Sequence, residues 1–243
     1  MIKKIAYILF GVFLLSYILV SMAFPKDYLE EKTCEEVSVV IVDTLDRHFI
    51  AEKDITAILK NAGLYPKGKE LKVIDTDKME AALEQNKLIK QVEVYKTAGG
   101  TVKIKVYQRI PMMRVMSAQG DYYVDVEGKP MPVVNQYAAY VPLVTGYPSK
   151  ELAQGELCRF VRYLRDNKFW DAQIEQIYVH PNQDVELIPR VGNHQIMIGK
   201  VEGFEEKLEN LKLFYSQALD KAGWNRYSTI NLKFKNQIVC TRR

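Results

Sequence analysis

The sequence predicts an α+β protein: a single N-terminal transmembrane helix, a small β-α-α-β-β unit, and a mostly antiparallel β domain with two helices. Three observations predict it. An uncharged apolar run opens the chain. Residues 37–108 alternate between helical and strand periodicity. Beyond 109, short β-rich runs are divided by Gly and Pro.

Residues 1–4 form a short cytoplasmic end. Lys3 and Lys4 precede residues 5–24, which are 20 positions without a charge. At a helical rise of about 1.5 Å per residue, that run spans the roughly 30 Å of a bilayer core. Lysines before the run, and Lys26 followed by Asp27, Glu30 and Glu31 after it, favour the N-terminus inside and the bulk outside. Ser21-Met22-Ala23 also suits signal peptidase, so cleavage is the alternative. The run is longer than a signal core, however, and Tyr17 and Phe24 stand near its end as interfacial anchors do. Gly11 and Ser16 lack the GxxxG spacing of helix pairing. Residues 25–36 are polar and read as a linker.

The first unit covers 37–108. VSVVIVD (37–43) reads as a strand. Ile55, Ile58, Leu59 and Ala62 make one helical stripe, stopped by Gly63. Met79, Ala82 and Leu83 make a second, with Thr76 or Asp77 as its cap. QVEVYK (91–96) and TVKIKVY (101–107) flank Gly99-Gly100, which signals a hairpin.

The second unit covers 109–243. MRVMSA, DYYVDV, PMPVV and VPLVTGYP are short β runs. A helix is expected at 149–168, with Leu157, Phe160, Val161 and Leu164 on one face. Strands are expected at 174–180, 184–189 and 195–199. A helix over 202–222 carries Phe204, Leu208, Leu211, Tyr215, Ala218 and Ala222 on its stripe, and Gly223 ends it. One long last strand, 229–240, carries Ile230, Leu232, Phe234, Asn236, Ile238 and Cys240 on one face, and a terminal strand is a candidate sheet edge.

Composition narrows the function. Hydrophobic residues at 48% and charged residues at 26% are normal for folded protein. The formal charge of +4 includes the two N-terminal lysines, so the outer part is too nearly neutral to argue for nucleic acid. Cys34, Cys158 and Cys240 are odd in number and far apart, which does not indicate a disulfide framework. Cys34 reads as a linker residue and Cys158 as a buried helix residue. His48, His180 and His194 have no metal-ligand spacing. HExxH, GxSxG, SxxK, Walker and GxGxxG motifs do not occur. Asp125, ahead of Glu127-Gly128, suits turn chemistry. No enzyme activity, cofactor, metal or small-molecule substrate is expected. A pair of carboxylates for glycan hydrolysis stays open as an alternative, because their separation in space defines it.

Four segments, in this order behind an apolar anchor, resemble the FtsQ/DivIB family of bacterial cell-division proteins. They are IKQVEVYKTAGGTVKIKVYQRIPMMRV (89–115), with its Gln108-Arg109-Ile110-Pro111 exit, YYVDVEGKPMPV (122–133), VPLVTG (141–146) and EKLENLKLFYSQALDKAGWNRYSTINLKFKNQIVC (206–240). Gln108 stands where that family commonly has Glu, Lys233 where it commonly has Arg, and Thr241-Arg242-Arg243 replaces an aromatic-bearing tail. The resemblance implies that 37–108 is a POTRA domain aiding septal localisation. It also implies a bitopic protein of the inner membrane that recruits FtsB- and FtsL-type single-pass proteins. Strand addition to the last strand would then be served by Lys233, Phe234, Lys235, Asn236 and Ile238. The alternation of these residues suits a core strand with a solvated lysine face equally well. Another POTRA-bearing assembly factor is a further alternative, although no run of barrel-length strands follows.

Overall fold

A computed structural model describes residues 2–23, 32–42, 49–135 and 137–243, with no side-chain description at 2–9, 21–23 and 222. Most of the expected linker, together with His48, lies outside the described residues. Helix α1 spans Ile2–Ala23. Its described side chains, 10–20, are uncharged and exposed. Among the described residues, no helix is long and apolar enough to cross a membrane. The rest forms two compact units. The first includes 32–42, 51–85 and 91–106. The second includes 49–50, 86–90 and 107–243.

In the first unit, β1 (Glu36–Val42), α2 (Glu52–Asn61), α3 (Thr76–Glu84), β2 (Ile89–Lys96) and β3 (Thr101–Gln108) appear in the expected β-α-α-β-β order. The three strands lie in the order β1-β3-β2. Val102, Ile104 and Val106 are fully buried, as are Ile55, Leu59 and Leu83 from the helices. The hairpin forms as Gly99-Gly100 predicts: the Thr97 amide donates to the Thr101 carbonyl at 2.9 Å, and the Gly100 amide to the Thr97 carbonyl at 3.1 Å. The cap of α3 is Asp75, one residue before the expected pair, because its Oδ1 accepts the Lys78 amide at 3.1 Å. Edge strand β2 is covered by its own helix: Glu80 and Glu84 of α3 accept the amides of Val94 (2.6 Å) and Val92 (3.3 Å). Cys34 is buried, not a linker residue. Its amide and carbonyl bond Lys69 and Gly68 at 2.8 Å, which stitches the start of the unit to the loop after α2.

The second unit is built on one nine-stranded sheet in the order β12-β11-β10-β9-β8-β7-β4-β5-β6. Its strands are β4 (Pro111–Ser117), β5 (Gly120–Asp125), β6 (Pro130–Pro132), β7 (Leu143–Gly146), β8 (Ile174–Val179), β9 (Val185–Pro189), β10 (Gln195–Gly199), β11 (Tyr227–Asn231) and β12 (Val239–Arg242). Most neighbouring pairs are antiparallel, but β4–β7, β7–β8 and β10–β11 are parallel. A register row crosses seven strands: Val115, Val144, Ile177, Leu187, Ile196, Ile230 and Cys240. The first six are fully buried. This row forms the floor of the main core, over which the helices pack.

The helix expected over 149–168 is three pieces: α4 (Lys150–Gln154), α5 (Glu156–Asp166) and α6 (Lys168–Gln173). Gly155 breaks the first junction, and Asn167 caps α6 by accepting the Phe169 amide at 3.0 Å. Leu157, Phe160, Val161 and Leu164 all bury as their stripe predicts. The next helix runs as α7 (Phe204–Phe214), a π turn (Tyr215–Leu219) and α8 (Asp220–Ala222). The extra residue of the π turn shifts the buried face by one position. Leu219 is therefore buried where the helical period places Ala218.

Asp125 is the turn residue its sequence context predicts. Its side chain is 2% exposed. Oδ1 accepts the amides of Glu127 (2.8 Å) and Lys129 (2.7 Å), and Oδ2 accepts from Arg109 Nη1 at 2.8 Å.

Candidate functional site

The expected last strand, 229–240, is not one strand. β11 ends at Asn231, residues 232–238 form a loop, and β12 begins at Val239. The Leu232 amide adds the last rung of the parallel β10–β11 ladder, donating to the Met197 carbonyl at 2.8 Å. One local interaction then ends β11: the Asn231 side chain accepts the Lys233 amide at 3.0 Å. Asn236 then takes a left-handed conformation, φ 59°, which a strand cannot continue. The chain reverses, and β12 pairs antiparallel with β11 at Ile230↔Cys240 and Asn231↔Val239.

β12 is one edge of the sheet, and its outer side pairs with no strand among the described residues. The other edge is β6, whose sequence is Pro-Met-Pro. Prolines 130 and 132 have no amide hydrogen and cannot extend a ladder. Of the two edges, β12 is therefore the one chemically able to accept another strand. It ends on Arg242, with Arg243 just past it and Arg226 beside it: the Arg243 amide donates to the Arg226 carbonyl at 3.3 Å.

The five residues assigned to this site by sequence separate into two roles. Phe234, 49% exposed, Lys235 and Asn236 project from the loop, and Ile238 packs partly against the main core. Phe234 and Ile238 share a groove of about 180 Å³ with Gly203, Glu206, Lys207 and Asn210 of the α7 end. Lys233 is occupied. Its Nζ donates to Asp184 Oδ2 at 2.6 Å, while Lys200 lies 3.7 Å from Oδ1. The Lys233 stem lies across Gly199, where a Cβ would sit 2.7 Å from Lys233 Cγ, so only glycine leaves room for it. Lys207 braces the floor by donating to the carbonyls of Ile198 (3.0 Å) and Lys200 (2.6 Å), and burial pulls its ammonium below the usual lysine range.

Asp184, on the turn before β9, was not legible as part of this site. The turn-forming Pro181-Asn182-Gln183 sequence marks a loop, but nothing in it points 49 residues ahead to Lys233. The Lys233 ammonium, then Asn182, holds the Asp184 carboxyl below its ordinary value of 3.8, against burial. A depressed carboxylate adds stability that is present above the unfolded value and is lost as pH falls through the folded one. Asp184→Asn is therefore expected to flatten the fall in stability below about pH 4, read by denaturant unfolding at pH 3 and 7. An unchanged acid limb would show that the pair carries no weight.

Neither His180 nor His194 joins this site. His180 Nε2 lies 2.9 Å from Glu186 Oε2. His194 is 2% exposed beneath the β10–β11 end. Among the described residues no group of His, Cys, Asp and Glu could hold a metal ion.

An open sheet edge with an exposed loop beside it, in a chain that also carries a separate β-α-α-β-β unit, defines a two-unit α+β protein with one strand edge free among the described residues. A POTRA-like domain model matches residues 32–107, and a model described as FtsQ/DivIB, C-terminal related, matches 110–241. The chain belongs to the FtsQ/DivIB family of cell-division proteins. A curated relative, cell division protein FtsQ of Rhodothermus marinus, is 28% identical over 165 residues, covering 58% of this chain and 55% of the relative. The chain thus spans about half the length of the curated relative it matches. A solved structure of the major extracytoplasmic domain of DivIB from Geobacillus stearothermophilus, in its trans isomer, is 16% identical. It covers 47% of this chain and 97% of that one at a TM-score of 0.31. That likeness is weak, and family membership rests on the sequence matches.

Proposed function

We propose that this protein is a non-enzymatic bitopic scaffold of the bacterial divisome. In this reading α1 anchors it in the cytoplasmic membrane with the N-terminus inside. Both folded units stand outside at the septum. FtsB- and FtsL-type single-pass proteins bind by adding an extended segment to β12.

The observation that carries the reading is the inequality of the two sheet edges. Prolines blunt β6, whereas β12 keeps a free backbone ladder with exposed Phe234 and Lys235 next to it. Main-chain hydrogen bonds would supply the affinity. The groove between Phe234 and α7 would supply selectivity. Arg242, Arg243 and Lys235 would favour an acidic partner segment. Lys233 would act indirectly, by holding the loop through Asp184. The anchor is supported by the uncharged 20-residue run behind Lys3 and Lys4 and by the helical backbone of Ile2–Ala23.

Capture of FtsB- and FtsL-type ectodomains by the full chain in detergent tests the reading. Wild type should retain them. Phe234→Glu should weaken retention by tenfold or more, about 1.4 kcal/mol, with its unfolding midpoint unchanged, since the ring is half exposed. Arg242→Pro, which removes an outward-facing amide of β12, should abolish it. Full retention by both folded variants would move the interface elsewhere. Failure of wild type to bind would remove the proposed partners.

A further inference from the structure

Beneath the terminal hairpin lies a buried histidine with half of its hydrogen bonding unmet. His194 immediately precedes β10 and is 2% exposed. Its Nε2 lies 2.8 Å from the hydroxyl of Tyr215, which is itself 3% exposed. Its Nδ1 is buried without a hydrogen-bond partner. The Trp224 carbonyl is the backbone acceptor for His194 and by itself favours a proton on the ring, although Nδ1 closes no well-aligned bond. Gly192 packs against the same edge, where a Cβ would meet Nδ1 at 2.7 Å. Buried polar atoms are rarely left unpaired, and those that are call for a reason.

The surroundings supply one. Tyr215 stands edge-on to the imidazole at 5.6 Å, Trp224 lies 6.3 Å away, and the two aromatic rings meet at 4.9 Å. Tyr215 also opens the π turn of the α7–α8 helix, a local departure from regular helix that often marks a functional position. Both ends of the terminal hairpin converge here. Trp224 leads into β11, and Arg243, just past β12, donates to the carbonyls of Asn193 and Arg226.

We propose that His194 is an acid-sensitive lock on the β11–β12 hairpin: the neutral ring seats the segments that enter and leave it, and the protonated ring releases them. A neutral imidazole needs one acceptor and one donor, and Tyr215 can serve Nε2 in either role. An imidazolium has two N–H groups to place. The titratable or charged groups that face it are Tyr215, from the π turn, and Arg243, from the chain end. From α6 the cluster receives the rings of Phe169 and Trp170, which carry no charge. Among these neighbours no carboxylate offers a counter-charge, and Arg243 opposes protonation.

The sign follows from the burial. Desolvation is the largest influence; with a smaller push from Arg243 it outweighs the Trp224 carbonyl, which favours the proton, and holds His194 below its ordinary value of 6.5. The unfolded or locally opened chain then binds more protons than the closed one. Stability from the neutral ring is complete above about pH 6.5 and drains away as pH falls below it. The lock stands whether or not β12 receives a partner.

Hydrogen exchange of the full chain in detergent, at pH 7.5 and 5.5 and corrected for intrinsic amide rates, tests the proposal. Residues 192–197 and 224–243 should lose protection at the lower pH, by up to about tenfold, the most that one pH unit of proton linkage below 6.5 allows, while β4, β7 and β8 hold theirs. His180→Gln should lose it equally. His194→Gln should show no acid-dependent loss. Equal wild-type protection at both pH values would overturn the lock, as would an undiminished acid loss in His194→Gln. If that variant does not fold, the imidazole titration followed by NMR in the wild type decides. Titration below 6.5 in step with the loss supports the lock, and a loss without titration overturns it.

Discussion

Replacing Gly146 by alanine is expected to unfold the second unit about 10 °C early. Gly146 ends β7 at φ +90°, and a Cβ there would lie 2.2 Å from the Val179 carbonyl oxygen and 3.0 Å from the Tyr178 ring. Val179 is the partner of Gly146 on β8, in the parallel centre of the sheet. Its oxygen is already taken by the Tyr147 amide at 2.8 Å. The clash is with backbone, so no side-chain rotation relieves it, and β7 must part from β8. A positive φ costs about 1–2 kcal/mol outside glycine. Forced displacement in a packed core adds roughly 1–3. A loss of about 3 kcal/mol is a large share of a typical domain's stability and moves a midpoint by about 10 °C at this size. Gly99→Ala is the control: its nearest neighbour is 3.9 Å away, and it should be nearly silent. A thermal scan placing Gly146→Ala within a degree of wild type would refute the account.

The second large effect belongs to Asp125. Asp125→Ala removes the acceptor for the Glu127 and Lys129 amides and for Arg109 Nη1, all within 2.8 Å of a side chain that is 2% exposed. Breaking a buried pair by deleting one partner costs about 3–5 kcal/mol, because the remaining polar groups stay desolvated. Asp125→Asn keeps an acceptor for the turn but loses the charge opposite Arg109, so a cost of about 1–2 kcal/mol is expected. Denaturant midpoints should rank wild type above Asn above Ala. Equal losses in the two variants would mean that the turn bonds contribute nothing separate from the ion pair.

Asp125 also shows what is readable locally. An aspartate three residues before a glycine at a strand end announces an Asx turn, and the turn forms. The hairpin at Gly99-Gly100, the α5 stripe of Leu157, Phe160, Val161 and Leu164, and the strands at 174–199 were legible for the same reason. Each is encoded by period and turn chemistry over fewer than a dozen residues. The candidate site was legible only as a place. A terminal segment rich in alternating apolar residues pointed to the end of the chain and to Phe234, but it read as one strand what the molecule folds as strand, loop and strand.

What the sequence by itself determined, then, is the order of elements, the identity of the buried faces and the family. These follow from near-neighbour periodicity and from motifs in series. The tertiary structure alone decided that β7 lies between β4 and β8 in parallel, that β12 and not a longer strand forms the free edge, and that Lys233 answers to Asp184. It also left His194 buried with one nitrogen unpaired. Strand pairing and ion pairing are set by which distant groups satisfy each other's hydrogen bonds and exclude water together, and a period of 2 or 3.6 carries no record of that choice.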